Sequence, residues 1–218
     1  MSHPITVDIW SDIACPWCYI GKRRFEKALA TFGSAPDAPT VNVTYHSFEL
    51  SPDTPVDFEG SEVDFLAAHK GLPAAQVEEM LAQMTELAAT EGLVYDFASL
   101  RHTNTLLAHE LLHFAKEHDL QAECTERLLR AYFTEGRHLG EAAELADLAA
   151  EIGLDRAEAL AALTDHRHRA AVQADIAQAR AFRISGVPFY VIDGRYGVSG
   201  AQRPDVFVSA LRQAAEES

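Results

Sequence analysis

An apolar, β-branched run, Ile5-Thr6-Val7-Asp8-Ile9-Trp10, leads into Cys15-Pro16-Trp17-Cys18, and helical periodicity begins at that motif. Two thiols three residues apart at a strand-to-helix junction can close into a disulfide and reopen, so this segment reads as a redox site. The helix is predicted from about Pro16 to Phe32, with Tyr19, Ile20, Phe25, Leu29 and Phe32 as its apolar positions. Thr40 to Leu50 then alternates and is rich in β-branched and aromatic residues, which predicts a second strand. Strand, helix and strand together make a βαβ unit.

A polar, proline-bearing stretch, Ser51 to Gly60, separates this unit from a long segment with repeated three- and four-residue spacing. Leu107, Leu111 and Phe114, then Leu128, Leu129, Tyr132 and Phe133, then Leu145, Leu148, Ala149 and Ile152 form apolar helix stripes. Gly92, Gly136 and Gly153 fall near plausible helix ends, and Asp155 with Glu158 resembles a capping box. Strand character returns at Pro188-Phe189-Tyr190-Val191-Ile192, followed by Asp193-Gly194 and Arg195-Tyr196-Gly197-Val198, a hairpin signature. Pro204 suits the first turn of a closing helix in which Phe207, Leu211 and Ala214 share a face. The expected architecture is α/β, β-α-β then β-β-α, with residues 1–60 and 182–218 in one domain and 61–181 a large all-helical insertion.

Composition narrows the partners. The 218 residues carry a net charge of -15, which argues against clustered Lys and Arg on nucleic acid or anionic lipid. No apolar run approaches the length of a membrane span, and Met1-Ser2-His3-Pro4 lacks the zones of a signal peptide, so a cytoplasmic location is expected. Three cysteines are too few for a disulfide scaffold, and Cys124, alone in an acidic stretch, is read as a passive thiol.

Only a thiolate attacks a disulfide, and the positive end of a helix with its unpaired N–H groups stabilises that anion. Cys15 occupies this position and is expected to attack, while Cys18, almost a turn further on and more enclosed, resolves. Pro16 suits the first turn, where its missing N–H costs nothing, and Trp17 can cover the site or meet substrate. A zinc half-site would need a second close-spaced ligand pair, and no second cysteine pair exists.

Val7-Asp8-Ile9-Trp10-Ser11-Asp12, Cys15-Pro16-Trp17-Cys18 and Ser185-Gly186-Val187-Pro188-Phe189, in this order, resemble the DsbA-like thiol–disulfide oxidoreductases of the thioredoxin fold, especially the FrnE-like branch. The resemblance spans nearly the whole chain. It implies a cis Val187-Pro188 bond facing the cysteines, with Val187 main-chain groups beside the disulfide and Pro188 as a site residue. It also matches Asp8 to a first-strand carboxylate that can handle the Cys18 proton. Many periplasmic DsbA enzymes carry His where Trp17 stands, and indole cannot supply that positive charge, so a less oxidising couple is expected. No bound cofactor is implied; glutathione is a candidate co-substrate, and the partner is a thiol- or disulfide-bearing protein or small molecule.

Three rival readings remain. Kappa-class glutathione transferases and 2-hydroxychromene-2-carboxylate isomerases share the fold, typically with Ser at the position of Cys15, and Gly197 to Gln202 can offer N–H groups to a glutathione carboxylate. His109-Glu110-Leu111-Leu112-His113 is a literal H-E-x-x-H, the zinc-protease pattern, but Lys116 and Asp119 stand where the longer metzincin motif requires Gly and His. A non-enzymatic holdase built on the helical insertion has no motif of its own.

Overall fold

The computed structural model describes residues 3–217, so Met1 and Ser2 of the leading tetrapeptide lie outside the described residues. Its elements, in order, are β1 (Ile5–Ser11), α1 (Pro16–Gly33), β2 (Val41–Ser47), α2 (Glu62–Lys70), α3 (Ala74–Thr90), α4 (Leu106–Glu117), α5 (Gln121–Phe133), α6 (Ala142–Glu151), α7 (Arg156–Thr164), α8 (Arg169–Ala181), β3 (Phe189–Ile192), β4 (Tyr196–Ser199) and α9 (Pro204–Glu216). The expected β-α-β, helical insertion and β-β-α are therefore present. The chain divides into two compact units, 1–48 with 174–218, and 49–173. The divisions fall after Phe48 and inside α8, against the expected 60/61 and 181/182.

In the first unit the sheet order is β2-β1-β3-β4. β1 runs parallel to β2, from Ile5 opposite Val41 to Ser11 opposite Ser47, and antiparallel to β3. β2 stops at Ser47 because β1, its partner, stops at Ser11; Phe48 N–H then closes on Ser11 O at 3.1 Å. The Asp193-Gly194 turn has left-handed φ at both residues, 50° and 64°, and Arg195 N–H bonds Ile192 O across it at 3.0 Å. Asp193 also accepts Thr6 N–H at 2.8 Å, which ties the hairpin to β1.

Alternation along β1 sorts its side chains to two faces. Ile5, Val7 and Ile9 join Phe25, Ala28 and Phe32 of α1 and Phe207, Leu211 and Ala214 of α9 in the larger core. Trp10 lies on the other face with Ala179 of α8 and Ile184, against Phe48, Val187, Phe189 and Val191. Asp8 shares that second face by strand parity.

In the helical unit, α4 packs against α5, α6 and α7, and every residue from Ala108 to Ala115 is buried. Gly92, Gly136 and Gly153 take left-handed φ just beyond α3, α5 and α6, as expected of residues that end helices. Asp155 caps α7 by accepting Glu158 N–H at 2.8 Å, while a full capping box, unforeseen in the sequence, joins Ser61 and Asp64 at the start of α2. No helix among the described residues is long and apolar enough to cross a membrane.

Candidate active site

The turn between β1 and α1 is closed by Cys15 N–H to Asp12 O at 3.2 Å, which brings the chain round so that Cys15 caps α1 and Pro16 opens it. Pro16 costs no hydrogen bond there. Trp17 is the exposed member of the motif at 42%, whereas Cys15 and Cys18 are 4% and 3% exposed. Cys18 is thus hardly more enclosed than Cys15, and exposure does not distinguish the two thiols.

Electrostatics does. Burial pushes the Cys18 thiol well above its ordinary range, and the hydrogen bond and negative charge of Cys15 push it further. Hydrogen bonds from the Ser11 hydroxyl and the Asp12 backbone oppose the rise without cancelling it. Two adjacent thiols cannot both ionise cheaply in a low-dielectric site, so a charge on Cys15 opposes the ionisation of Cys18. Both cysteines are free thiols.

Val187-Pro188 is a cis peptide bond. The segment reaches the cysteines directly: the Cys15 Sγ lies 3.5 Å from Val187 O. Pro188 O accepts Gly200 N–H at 2.8 Å, which ties the cis segment to the loop after β4. The structure therefore brings Cys15, Cys18 and Val187-Pro188 together from α1 and the approach to β3.

Asp8 goes elsewhere. Its carboxylate meets His46 Nε2 at 2.8 Å, and the groups that bear on the Cys18 thiol are Cys15, Ser11 and Asp12. Two amides of the Gly197–Gln202 loop are also taken, Gly200 N–H by Pro188 O and Gln202 N–H by Gly200 O. His109 and His113 belong to no group of three or more His, Cys, Asp or Glu able to hold a metal ion among the described residues. Their neighbour Glu110 instead meets His166 Nδ1 at 3.1 Å and Arg169 Nε at 3.4 Å. Cys124 is buried, and desolvation holds its thiol far above the ordinary range, as a passive role requires.

Two contributors escaped the sequence reading. Gly21 lets α1 approach the cis segment: a Cβ there would stand 2.7 Å from Tyr190 Oη and 2.9 Å from Pro188 Cγ. A glycine inside a helical pattern, three residues past Cys18, was the available signal. Ser11 is the other: it stands in the run that carries the family resemblance, but nothing in its spacing marks a role.

Comparison with known proteins agrees with this geometry. A probable DsbA oxidoreductase of Streptomyces coelicolor is 40% identical, superimposes with a TM-score of 0.91, and is matched over 98% of this chain and 91% of its own. The cytosolic disulfide reductase DsbM of Pseudomonas aeruginosa, also solved with GSH, is 22% identical with a TM-score of 0.64, over 98% of this chain and 100% of that one. A 2-hydroxychromene-2-carboxylate isomerase has a TM-score of 0.73 at 18% identity, over 98% and 99% of the two chains. The model of the DSBA-like thioredoxin domain matches residues 6–212, and the chain belongs to that family.

Proposed function

We propose that the protein is a dithiol–disulfide oxidoreductase in which Cys15 is the attacking and Cys18 the resolving thiol. The observation that carries this reading is the placement of Cys15, at the cap of α1, in contact with Val187 O, with a harder-to-ionise Cys18 beside it. The Cys15 thiolate attacks one sulfur of a substrate disulfide, forming a mixed disulfide and expelling the other sulfur as a thiolate. Cys18 then loses its proton and attacks the Cys15 sulfur, which expels the second substrate thiolate. The two leaving thiolates take up the two protons, so the substrate gains two electrons and two protons while Cys15 and Cys18 join. Run backwards, the same steps oxidise a dithiol substrate.

Pro188 and Val187 shape the approach to Cys15, with Pro16 starting the helix and Trp17 exposed at the rim. Trp17 brings no positive charge to the thiolate, which favours a less oxidising couple than a His at that position. Glutathione is the candidate small co-substrate, supported at the level of fold by the DsbM structure solved with GSH, and that reductase's cytosolic setting supports a cytoplasmic location. The FrnE-like branch fits the order of motifs and the helical unit between them.

Cys18→Ser tests the assignment. It should accumulate a covalent mixed disulfide with glutathione or a protein thiol, visible by mass, and Cys15→Ser should form none. An isomerase that activates glutathione without forming a disulfide would keep its turnover in Cys18→Ser, and that result would overturn the proposal.

A further inference from the structure

The sheet face that carries Trp10 holds a part-buried titratable group outside the exchange steps. His46, on β2, lies flat on the Trp10 indole, with ring centroids 4.6 Å apart and planes 16° apart. Its Nδ1 is 2.7 Å from Asp175 Oδ1 and its Nε2 is 2.8 Å from Asp8 Oδ1. Ionised carboxylates only accept hydrogen bonds, so both ring nitrogens donate, and only the imidazolium has two donors. Burial favours the neutral ring, yet the hydrogen bonds and charges of Asp175 and Asp8 outweigh it and raise the His46 pKa above 6.5. Those carboxylates, from α8 and β1, are the charged groups that face the ring; β3 contributes Phe189 and Val191 to the apolar cluster around Trp10.

Asp175 does more than pair with His46. Its second oxygen accepts Ser47 N–H at 2.8 Å, and its backbone carbonyl accepts the Trp10 indole N–H at 3.2 Å. One residue of α8 thus fixes the imidazole, the end of β2 and the indole together. Trp10 in turn leads to both sulfurs. It packs in one cluster with Val187, whose carbonyl meets Cys15 Sγ, and it is followed by Ser11, whose hydroxyl meets Cys18.

We propose that His46 is a positioning residue of the redox site: its imidazolium, clamped between Asp8 and Asp175, holds Trp10 so that Val187 O meets Cys15 and the Ser11 hydroxyl meets Cys18. The proposal rests on the assignment of Cys15 and Cys18 as the exchanging pair. Both contacts are made to the dithiol form, so a slackened clamp destabilises that form relative to the disulfide. A couple whose reduced form is less stable is more reducing.

The experiment equilibrates the wild type, His46→Gln, His46→Arg and Asp8→Asn with glutathione over a range of pH, after circular dichroism has verified each fold. His46→Gln should favour the disulfide form at least threefold more than the wild type, about 14 mV at 29.6 mV per tenfold. The wild-type equilibrium should carry an inflection above pH 6.5 that His46→Gln lacks. His46→Arg, a permanent cation with a fork of donors, should restore the wild-type equilibrium without that inflection. Should His46→Gln fail to fold, Asp8→Asn, which removes the charge of the half-exposed partner, must shift the equilibrium in the same direction. A folded His46→Gln within threefold of the wild type, with the same pH profile, overturns the proposal, as does an unshifted Asp8→Asn where it alone can be measured. A wild type that exchanges no disulfide with any thiol would instead remove the assignment of the cysteines.

Discussion

Two acid–base clusters, one in each compact unit, have opposite relations to the sequence. Glu110 sits in the middle of α4, wholly buried, inside a five-residue H-E-x-x-H pattern that reads like a metal site. One of its oxygens, Oε1, meets His166 and Arg169, whose side chains are 44% and 41% exposed, at the connection into α8. The second cluster has no local signature. Asp8 and His46 are 38 residues apart and His46 and Asp175 are 129 apart, yet they form a chain of short hydrogen bonds next to the residues that face the sulfurs. Spacing on one helix puts side chains on a face, but the fold decides what meets them. The comparison predicts that perturbing the first cluster moves stability alone, and that perturbing the neighbourhood of the second moves the chemistry.

The largest effect should come from Arg169→Met. It leaves the buried Glu110 carboxyl with only a half-exposed histidine, and removing one partner of a buried polar group costs about 1–3 kcal/mol, more where the group is charged. Denaturant unfolding should show that loss while the glutathione equilibrium of the cysteines stays at the wild-type value. A changed equilibrium would break the contrast between the clusters. Gly21→Ala should cost less, about 1–3 kcal/mol for overpacking, but alter the chemistry. Its Cβ meets the Pro188 ring and the buried Tyr190 hydroxyl, so α1 must back away from the cis segment and the Cys15–Val187 contact must lengthen. Stopped-flow exchange with glutathione should be measurably slower than in wild type. Asp155→Ala removes a helix cap in the helical unit and should cost about 1 kcal/mol with exchange unchanged.

What the sequence disclosed was local. β1, the cysteine motif and the start of α1 are contiguous, and the hairpin turn is written in Asp193-Gly194, where two left-handed residues are needed. Pro188 could be joined to Cys15 and Cys18 only through the order of motifs in a known family. The end of β2 was not legible beyond Ser47, because the length of its partner β1 sets it. The division inside α8 was equally hidden, since Asp175 and Ala179 join the sheet's cluster through contacts and not through periodicity. Asp8 shows the same limit at the site itself: its strand position is readable, whereas its choice of His46 is a tertiary fact.

The smallest effect sharpens the comparison most, because two histidines should respond to pH with opposite sign. His46 has a folded pKa above its ordinary 6.5, so the stability it contributes is fully present below pH 6.5 and is lost as pH rises through the folded value. His168, in the helical unit, is displaced the other way: burial disfavours its charged form, the charges of His113 and Arg167 add to that, and Glu117 and Glu110 only partly compensate. Its contribution is present above pH 6.5 and is lost as pH falls through the lowered value. Thermal midpoints recorded from pH 5 to 9 should therefore separate the two histidines. Relative to His46→Gln, the wild type should lose about 1–3 °C of advantage on the alkaline side; relative to His168→Gln, it should lose a similar amount on the acid side. Parallel trends for both variants would mean that the two histidines sense one common electrostatic environment, and the contrast between the two units would fail.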